Sequence, residues 1–226
     1  MFQQLLNLFY PSLCYGCCNE EVGNDEMLCL TCFQELPFTG FEKIQGNPTE
    51  KLFWGRLNLK FGVSIFYFIP GSPIQKIIHQ IKYKGEKDLG IFMGKIAGDK
   101  LKPIIQDNEI DYCIPMPLHP KKEYKRGYNQ ASLLCQGIKE VCEIDYFDKI
   151  VIREENTSSQ TKKTRIERWR NVETIFSIHD KERIMDKNIL IVDDVITTGA
   201  STESCGQLLL TNGAKSVSIV GLAYTV

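Results

Sequence analysis

The chain is 226 residues long, 43% apolar and 24% charged, with a formal net charge of −1 at pH 7. That length holds one full domain and a small appendage, and no apolar run reaches the roughly 20 residues that a bilayer span needs. The near-zero charge excludes a global attraction to nucleic acid or anionic lipid, so any polyanion must meet the basic clusters His119 to Arg126 and Lys162 to Arg170.

Met1 to Tyr10 is moderately apolar but lacks a basic start and a small-residue cleavage site, so it reads as a short docking helix and not as a secretory signal. Nine cysteines without such a signal point to a reducing compartment, where thiols stay free or bind metal. A cytoplasmic protein is expected. Cys14-x-x-Cys17 and Cys29-x-x-Cys32 form two pairs separated by eleven residues. Such pairs set four thiolates around a tetrahedral ion. Thiolates select zinc over harder ions, with an iron–sulfur cluster as the rival. Cys18 is an alternative to Cys17, although Cys17 keeps both spacings at two. Four protein ligands leave no position for substrate, so the zinc is structural and stabilises a module over residues 1–40 that is too small for a core of its own. Cys113, Cys135, Cys142 and Cys205 lie in apolar contexts and read as core.

Pro37 to Trp54 has the Gly, Pro and scattered charge of an irregular connection, giving a linker over 41–57 ahead of a domain over 58–226. Leu59 to Ile69 is aromatic and β-branched, a strand or hairpin. Pro73 to Tyr83 carries Ile74, Ile77, Ile78 and Ile81 at helical spacing, and Asp88 to Ile105 is a second helix. Asp111 to Pro115 is a short strand, Asn129 to Val141 a helix and Asp145 to Ile152 a strand. Arg153 to Thr164 is polar and structureless, Ile166 to Asn171 a helical turn and Thr174 to Ile178 a strand. Ile189 to Val192 is a continuous apolar strand of the buried parallel type, followed by a helix over Ala200 to Leu210 and a strand over Ser216 to Ala223. Strands alternating with helices imply right-handed crossovers: an α/β fold with a mostly parallel sheet flanked by helices.

The most informative stretch follows that apolar strand. Asp193 and Asp194 close it at the carboxyl edge of the sheet, where α/β folds bind ligands. Val195, Thr197, Thr198, Gly199, Ala200 and Ser201 then lead into a helix. The turn and helix start offer free N–H groups to a phosphate, and Gly199 permits positive φ. The two carboxylates can accept from a pair of vicinal hydroxyls, or approach a Mg²⁺ bound to the same sugar phosphate. A second stretch, Pro115-Met116-Pro117-Leu118-His119-Pro120, is stiffened by prolines and followed by Lys121, Lys122, Lys125 and Arg126, which suit a diphosphate.

The segment from Ile189 to Thr202 resembles the phosphoribosyl pyrophosphate loop of type I phosphoribosyltransferases. With Pro-x-Pro-Leu-His and Arg126-Gly127-Tyr128-Asn129-Gln130, the pattern resembles the ComF family of bacterial competence proteins and the related GntX group. The resemblance implies that Asp193 and Asp194 hold the ribose hydroxyls and that Val195 and Thr197 to Ser201 hold the 5′-phosphate. Pro117, Leu118, His119, Lys121 and Arg126 are expected to meet the pyrophosphate. Asp193, Asp194 and Arg126 would carry the chemistry, with Mg²⁺ bound to the substrate. Ser159, Gln160, Arg165 and Arg168 resemble the family's mobile loop, which closes over substrate, although Lys162 and Lys163 stand where the family has Gly-Leu. The stretch from Ile77 to Gly85 resembles another family segment, yet Lys82 at its helix end reads as a solvated lysine before a phosphate contact. His79 and His179 read as surface residues.

Three functions are open at this level. One is an enzyme that transfers a phosphoribosyl group to an unspecified acceptor, acting in DNA uptake with other competence proteins. Another is a non-catalytic module that senses phosphoribosyl pyrophosphate and binds single-stranded DNA, through Arg165, Arg168 and Trp169. The third is a nucleotide-salvage phosphoribosyltransferase.

Overall fold

The computed structural model describes residues 12–23, 26–154 and 175–225. The expected docking helix at Met1 to Tyr10 lies outside them. So do Ser159, Gln160, Arg165, Arg168, Trp169 and the turn at Ile166 to Asn171.

The amino-terminal part folds around its thiols and contributes helix α1, Leu30–Gln34, begun by Cys29. Pro37 to Thr39 then runs antiparallel beside the first strand of the sheet, β1, Gly62–Phe68. Phe38 bridges Phe66, Thr39 N–H donates to Ile65 O at 2.9 Å, and Tyr67 N–H donates to Pro37 O at 2.8 Å. The stretch expected as an irregular connection is more ordered than its composition suggests. It carries a 3₁₀ turn, Phe41–Lys43, and helix α2, Pro48–Lys51. Asn47 is the reason. It is buried, its Oδ1 accepts from Thr49 and Glu50 N–H, and its Nδ2 donates to Ile44 O and Gly62 O. One side chain thus caps α2 and ties the connection to β1.

Next come helices α3, Pro73–Tyr83, and α4, Lys87–Asp107. Strand β2, Tyr112–Pro115, leads into a helix that the prolines and charges did not announce, α5, Pro120–Arg126. Proline at its first turn is pre-set for helix, and His119 supplies the cap. Helix α6 is Gln130–Cys142, capped by Asn129. The strand expected over Asp145 to Ile152 is two strands in different sheets: β3, Asp145–Tyr146, and β4, Val151–Arg153. Strand β5, Phe176–Ile178, pairs antiparallel with β4. Strand β6 is Asn188–Ile196, helix α7 is Ala200–Thr211, and β7 is Ser216–Thr225.

The main sheet has the order β1-β7-β6-β2-β3, every pair parallel. Its two faces are buried, as parallel sheets require. Leu190 and Val192 of β6 pack with α3, α4 and α6. Ile189 and Ile191 alternate to the other face, against Phe53, Leu57, the β4–β5 ribbon and α7. Contrary to the sequence expectation, β6 does not stop at the aspartates. It continues through Ile196 because β7 keeps pairing beside it, Asp193 opposite Gly221 and Ile196 opposite Tyr224. Helices α4 and α6 cross where glycines face each other: a Cβ on Gly137 would lie 2.6 Å from Lys95 N and 2.7 Å from Gly94 C, and would also strike Ile91 O.

Candidate functional site

The site lies at the carboxyl edge of the parallel sheet and is built around β6. Asp193 and Asp194 project to opposite faces, as neighbours in a strand must. Asp193 accepts from the Asp194 N–H at 2.8 Å. Asp194 is buried and lines a small recess with Ile78, Ile81, Lys82, Gln130, Leu134 and Leu222. Burial, followed by the charge of Asp194, pushes the Asp193 carboxyl up to about 7. Between about pH 4 and 7 the folded state therefore holds a proton that the unfolded state has lost. This pair costs the fold stability as pH rises through that window.

After Ile196 the chain turns through Thr197 and Thr198, both exposed, to Gly199 at φ 71°. Gly199 has two reasons to be glycine. Its φ is left-handed, and a Cβ there would lie 2.9 Å from the Phe53 ring. Phe53 thus forms the floor of the turn. Beside it Arg56 donates to Thr198 O at 3.2 Å and pairs with Glu203 of α7. Among the described residues, the N–H groups of Thr198, Gly199, Ser201 and Thr202 have no hydrogen-bond acceptor. With Ala200 and Ser201 exposed at the helix start, the turn is an open cradle of donors at the positive end of α7. Phe53 and Arg56 escaped sequence reasoning because they sit in a stretch read as a linker.

The second loop closes the other side. Met116 N–H donates to Val192 O at 2.7 Å, and Asn129 Nδ2 donates to Met116 O at 3.0 Å, fixing the proline segment to β6. Pro117 is buried and Leu118 half-buried, so they contribute wall and backbone. His119 Nδ1 accepts from Lys121 N–H at 3.2 Å as the cap of α5, which leaves only Nε2 for a ligand. Lys121 is exposed on α5. Arg126 donates to Gln130 Oε1 at 2.6 Å and stacks over Tyr83, 5.3 Å from the ring centroid. Tyr128 donates its hydroxyl to Ile81 O. The loop therefore grips the last turn of α3, where Lys82 sits. Contrary to expectation, Lys82 is not a solvated helix-end lysine. Its Nζ lies 2.9 Å from Asp194 Oδ2, with side-chain exposures of 21% and 11%. The approach is an ion pair out of line for a directed hydrogen bond, since Oδ2 has no aligned donor.

The thiol cluster is separate. The Sγ atoms of Cys14, Cys17, Cys29 and Cys32 all lie within 4.8 Å of one another. A tetrahedral ion with bonds of about 2.3 Å needs thiolates roughly 3.8 Å apart, so the four fit a metal ion such as zinc. Cys18 is outside the cluster. It has φ 64° and turns to accept from Gln80 Nε2 at 3.7 Å, so Cys17 is the one of the two that converges with the other thiols. Cys29 N–H and Gly16 N–H donate to Cys14 Sγ at 3.2 and 3.3 Å. Burial pushes that thiol up, but these donors outweigh it and bring it down to about 6. Hydrogen bonds from the backbone thus favour the thiolate form of Cys14, the form a metal ion binds. The cluster packs on the start of α3, where Gly16 lies against Cys32 and Pro73, and on the start of α4, where Tyr15 donates to Glu86 at 2.8 Å.

A doubly covered parallel sheet, an acidic pair and a donor-lined turn define a phosphoribosyltransferase-type domain, and the family model described as phosphoribosyl transferase domain matches residues 125–225. Competence protein F of Haemophilus influenzae is 34% identical over 223 residues, covering 96% of this chain and 93% of its own. Competence protein ComFC of Streptococcus pneumoniae is 37% identical over 207 residues, covering 88% and 89%. DNA utilization protein YhgH of Escherichia coli (strain K12) is 26% identical over 237 residues, covering 97% and 100%. The chain belongs to the competence protein F family. No helix among the described residues is long and apolar enough to cross a membrane.

Proposed function

We propose that this chain binds magnesium phosphoribosyl pyrophosphate at the carboxyl edge of its sheet and transfers the phosphoribosyl group to an acceptor in the course of DNA uptake. The observation that carries the proposal is the closeness in the chain of Asp193 and Asp194, near the end of β6, to the unsatisfied N–H groups of Thr198, Gly199, Ser201 and Thr202 at the turn and the start of α7. The turn suits a 5′-phosphate, and the carboxylates suit the two ribose hydroxyls. Arg126 and Lys121, with the backbone of Pro117 and Leu118 and the Nε2 of His119, suit the diphosphate. In transfer the bond from C1 to diphosphate breaks, the electron pair leaves with pyrophosphate, and C1 bonds to the acceptor. Mg²⁺ bound with the diphosphate would screen its charge. Ser159, Gln160, Arg165 and Arg168, which the resemblance assigns to a loop over the substrate, lie outside the described residues. Zinc in the four-thiol cluster would serve structure alone. The process is taken from the relatives' names, competence protein and DNA utilization protein.

Titration calorimetry with Mg²⁺ and phosphoribosyl pyrophosphate tests the site. The Asp193→Asn/Asp194→Asn double variant is expected to weaken binding at least about 100-fold, two charge-assisted hydrogen bonds being lost. Unchanged affinity in that variant would reject the assignment. Pyrophosphate release across a panel of bases and amines then tests transfer. Because an ionised carboxylate accepts from a hydroxyl more strongly than its protonated form, and the Asp193 carboxyl is pushed up to about 7, affinity should rise as pH goes from 6 to 8 and level off above. A flat profile over that range contradicts the role given to Asp193.

A second reading has an observation of its own. Lys121, Lys122 and Lys125 are exposed along α5, where Tyr124 is 93% exposed, and Tyr83 nearby is also exposed. A basic ridge with the exposed ring of Tyr124 suits single-stranded DNA, with the sugar phosphate as a sensed ligand. Salt-sensitive binding of an oligonucleotide, with no pyrophosphate released for any acceptor, would favour it.

A further inference from the structure

We propose that Lys82 reads the diphosphate: its ammonium bridges Asp194 to the group at C1, so that the site prefers a ribose phosphate carrying diphosphate over one without it. The inference rests on the sugar-phosphate site proposed above and adds the residue that discriminates its ligands. Lys82 reaches Asp194 from the last turn of α3 at 2.9 Å, and that turn is held on both sides. Tyr128 donates to Ile81 O, and Arg126 covers Tyr83. The ammonium is therefore placed by packing and is not a loose surface charge.

An ammonium has three donors. Asp194 faces one side of it, and among the described residues no other acceptor occupies the rest. Lys82 keeps 21% of its side chain exposed, and the recess it lines with Asp194 is otherwise walled by Gln130 and by the apolar Ile78, Ile81, Leu134 and Leu222. Vicinal chemistry supplies the distance. The ribose hydroxyls sit on C2 and C3, and C2 is bonded to C1. A cation within ion-pair reach of a carboxylate that holds the C2 hydroxyl is thus one bond length from reach of the C1 substituent. Asp194 is the carboxylate on the α3 face, where Lys82 and Gln130, the partner of Arg126, also lie, whereas Asp193 projects to the opposite face of β6. Both cations gather at the last turn of α3, Lys82 on Asp194 and Arg126 over Tyr83, and would flank a leaving group held on that face. A bound ribose 5-phosphate would fill the cradle and the carboxylates but would leave the ammonium's remaining donors to water. A diphosphate would take them up as charge-assisted bonds.

The test compares two ligands and two variants. Affinities for phosphoribosyl pyrophosphate and for ribose 5-phosphate, both with Mg²⁺, are measured by calorimetry on wild type, Lys82→Met and Lys82→Arg, with thermal melting to confirm folding. In Lys82→Met both affinities fall, because Asp194 loses its counter-charge. The preference for diphosphate over ribose 5-phosphate should nevertheless drop by at least about tenfold. Lys82→Arg, which keeps the charge, should restore most of that preference. Equal losses for the two ligands would overturn the proposal and leave Lys82 as a prop for Asp194, as would a preference unchanged in Lys82→Met. Wild type that binds neither ligand would instead defeat the site assignment itself, and the role of Lys82 with it.

Discussion

Replacing Gly137 by alanine should lower the thermal midpoint by about 10 °C, a loss on the order of 4 kcal/mol. The reason is the closeness of α4 and α6. The new methyl would meet Lys95 N and Gly94 C at 2.6 and 2.7 Å, and Ile91 O closer still. These are backbone atoms, so no side chain can swing aside, and the helices must part. The damage would reach the site, because α6 begins with Asn129 and Gln130. Asn129 ties down Met116 O, and Gln130 holds Arg126. Calorimetric melting, together with affinity for the sugar diphosphate at a temperature where the variant stays folded, checks both parts. A midpoint within 2 °C of wild type would mean that the helices can separate at little cost.

Removing metal from the thiol cluster should have the other large effect. Structural zinc binds its thiolates with on the order of 10 kcal/mol, and residues 12–40 bury few large apolar side chains beyond Leu28 and Leu36. Cys32→Ser is therefore expected to abolish stoichiometric metal, measured by plasma emission, and to melt the amino-terminal part. Cys18→Ser should retain one metal per chain, since its thiol turns to Gln80. Strong chelator should reproduce the Cys32→Ser state, and added zinc should reverse it. Because the thiols must lose protons to bind, retention should weaken as pH falls. Full metal content in Cys32→Ser would contradict the four-thiol site.

The parts of this protein that could be read from its sequence are those whose partners are close in the chain. Asp193 to Ser201 runs without a break from the end of β6 into the start of α7, and its place at the carboxyl end of a buried strand follows from residues next to one another. The cysteine pairs are similar. Cys17 and Cys18 are adjacent in the chain, and the fold alone shows that Cys17 converges with the other three thiols while Cys18 faces Gln80. Lys82 was misread because its meaning depends on where α3 lands against β6, more than a hundred residues later, and helical periodicity carries no such information. Phe53 and Arg56 were hidden for a related cause. Polar, glycine-bearing composition suggests a loop, but the burial of Asn47 organises the stretch from a distance through Gly62. The length of β6 was underestimated because Asp193 and Asp194 interrupt the apolar run, whereas pairing with β7 does not depend on side-chain polarity. Helix α5 was missed because three prolines and a run of lysines dominate its surroundings, while the proline at its start favours helix.

The course of Pro37 to Thr39 along β1 bears on how the molecule behaves in a crowded solution. A parallel sheet has two rims of unpaired amides, either of which can recruit a strand from another chain. On one rim β3 is only two residues long. On the other, the segment leaving the thiol module occupies the rim itself, through the bonds of Thr39 and Tyr67. Cutting the chain after residue 40 would thus do more than delete a small module: it would uncover a long apolar border, and the shortened protein should self-associate.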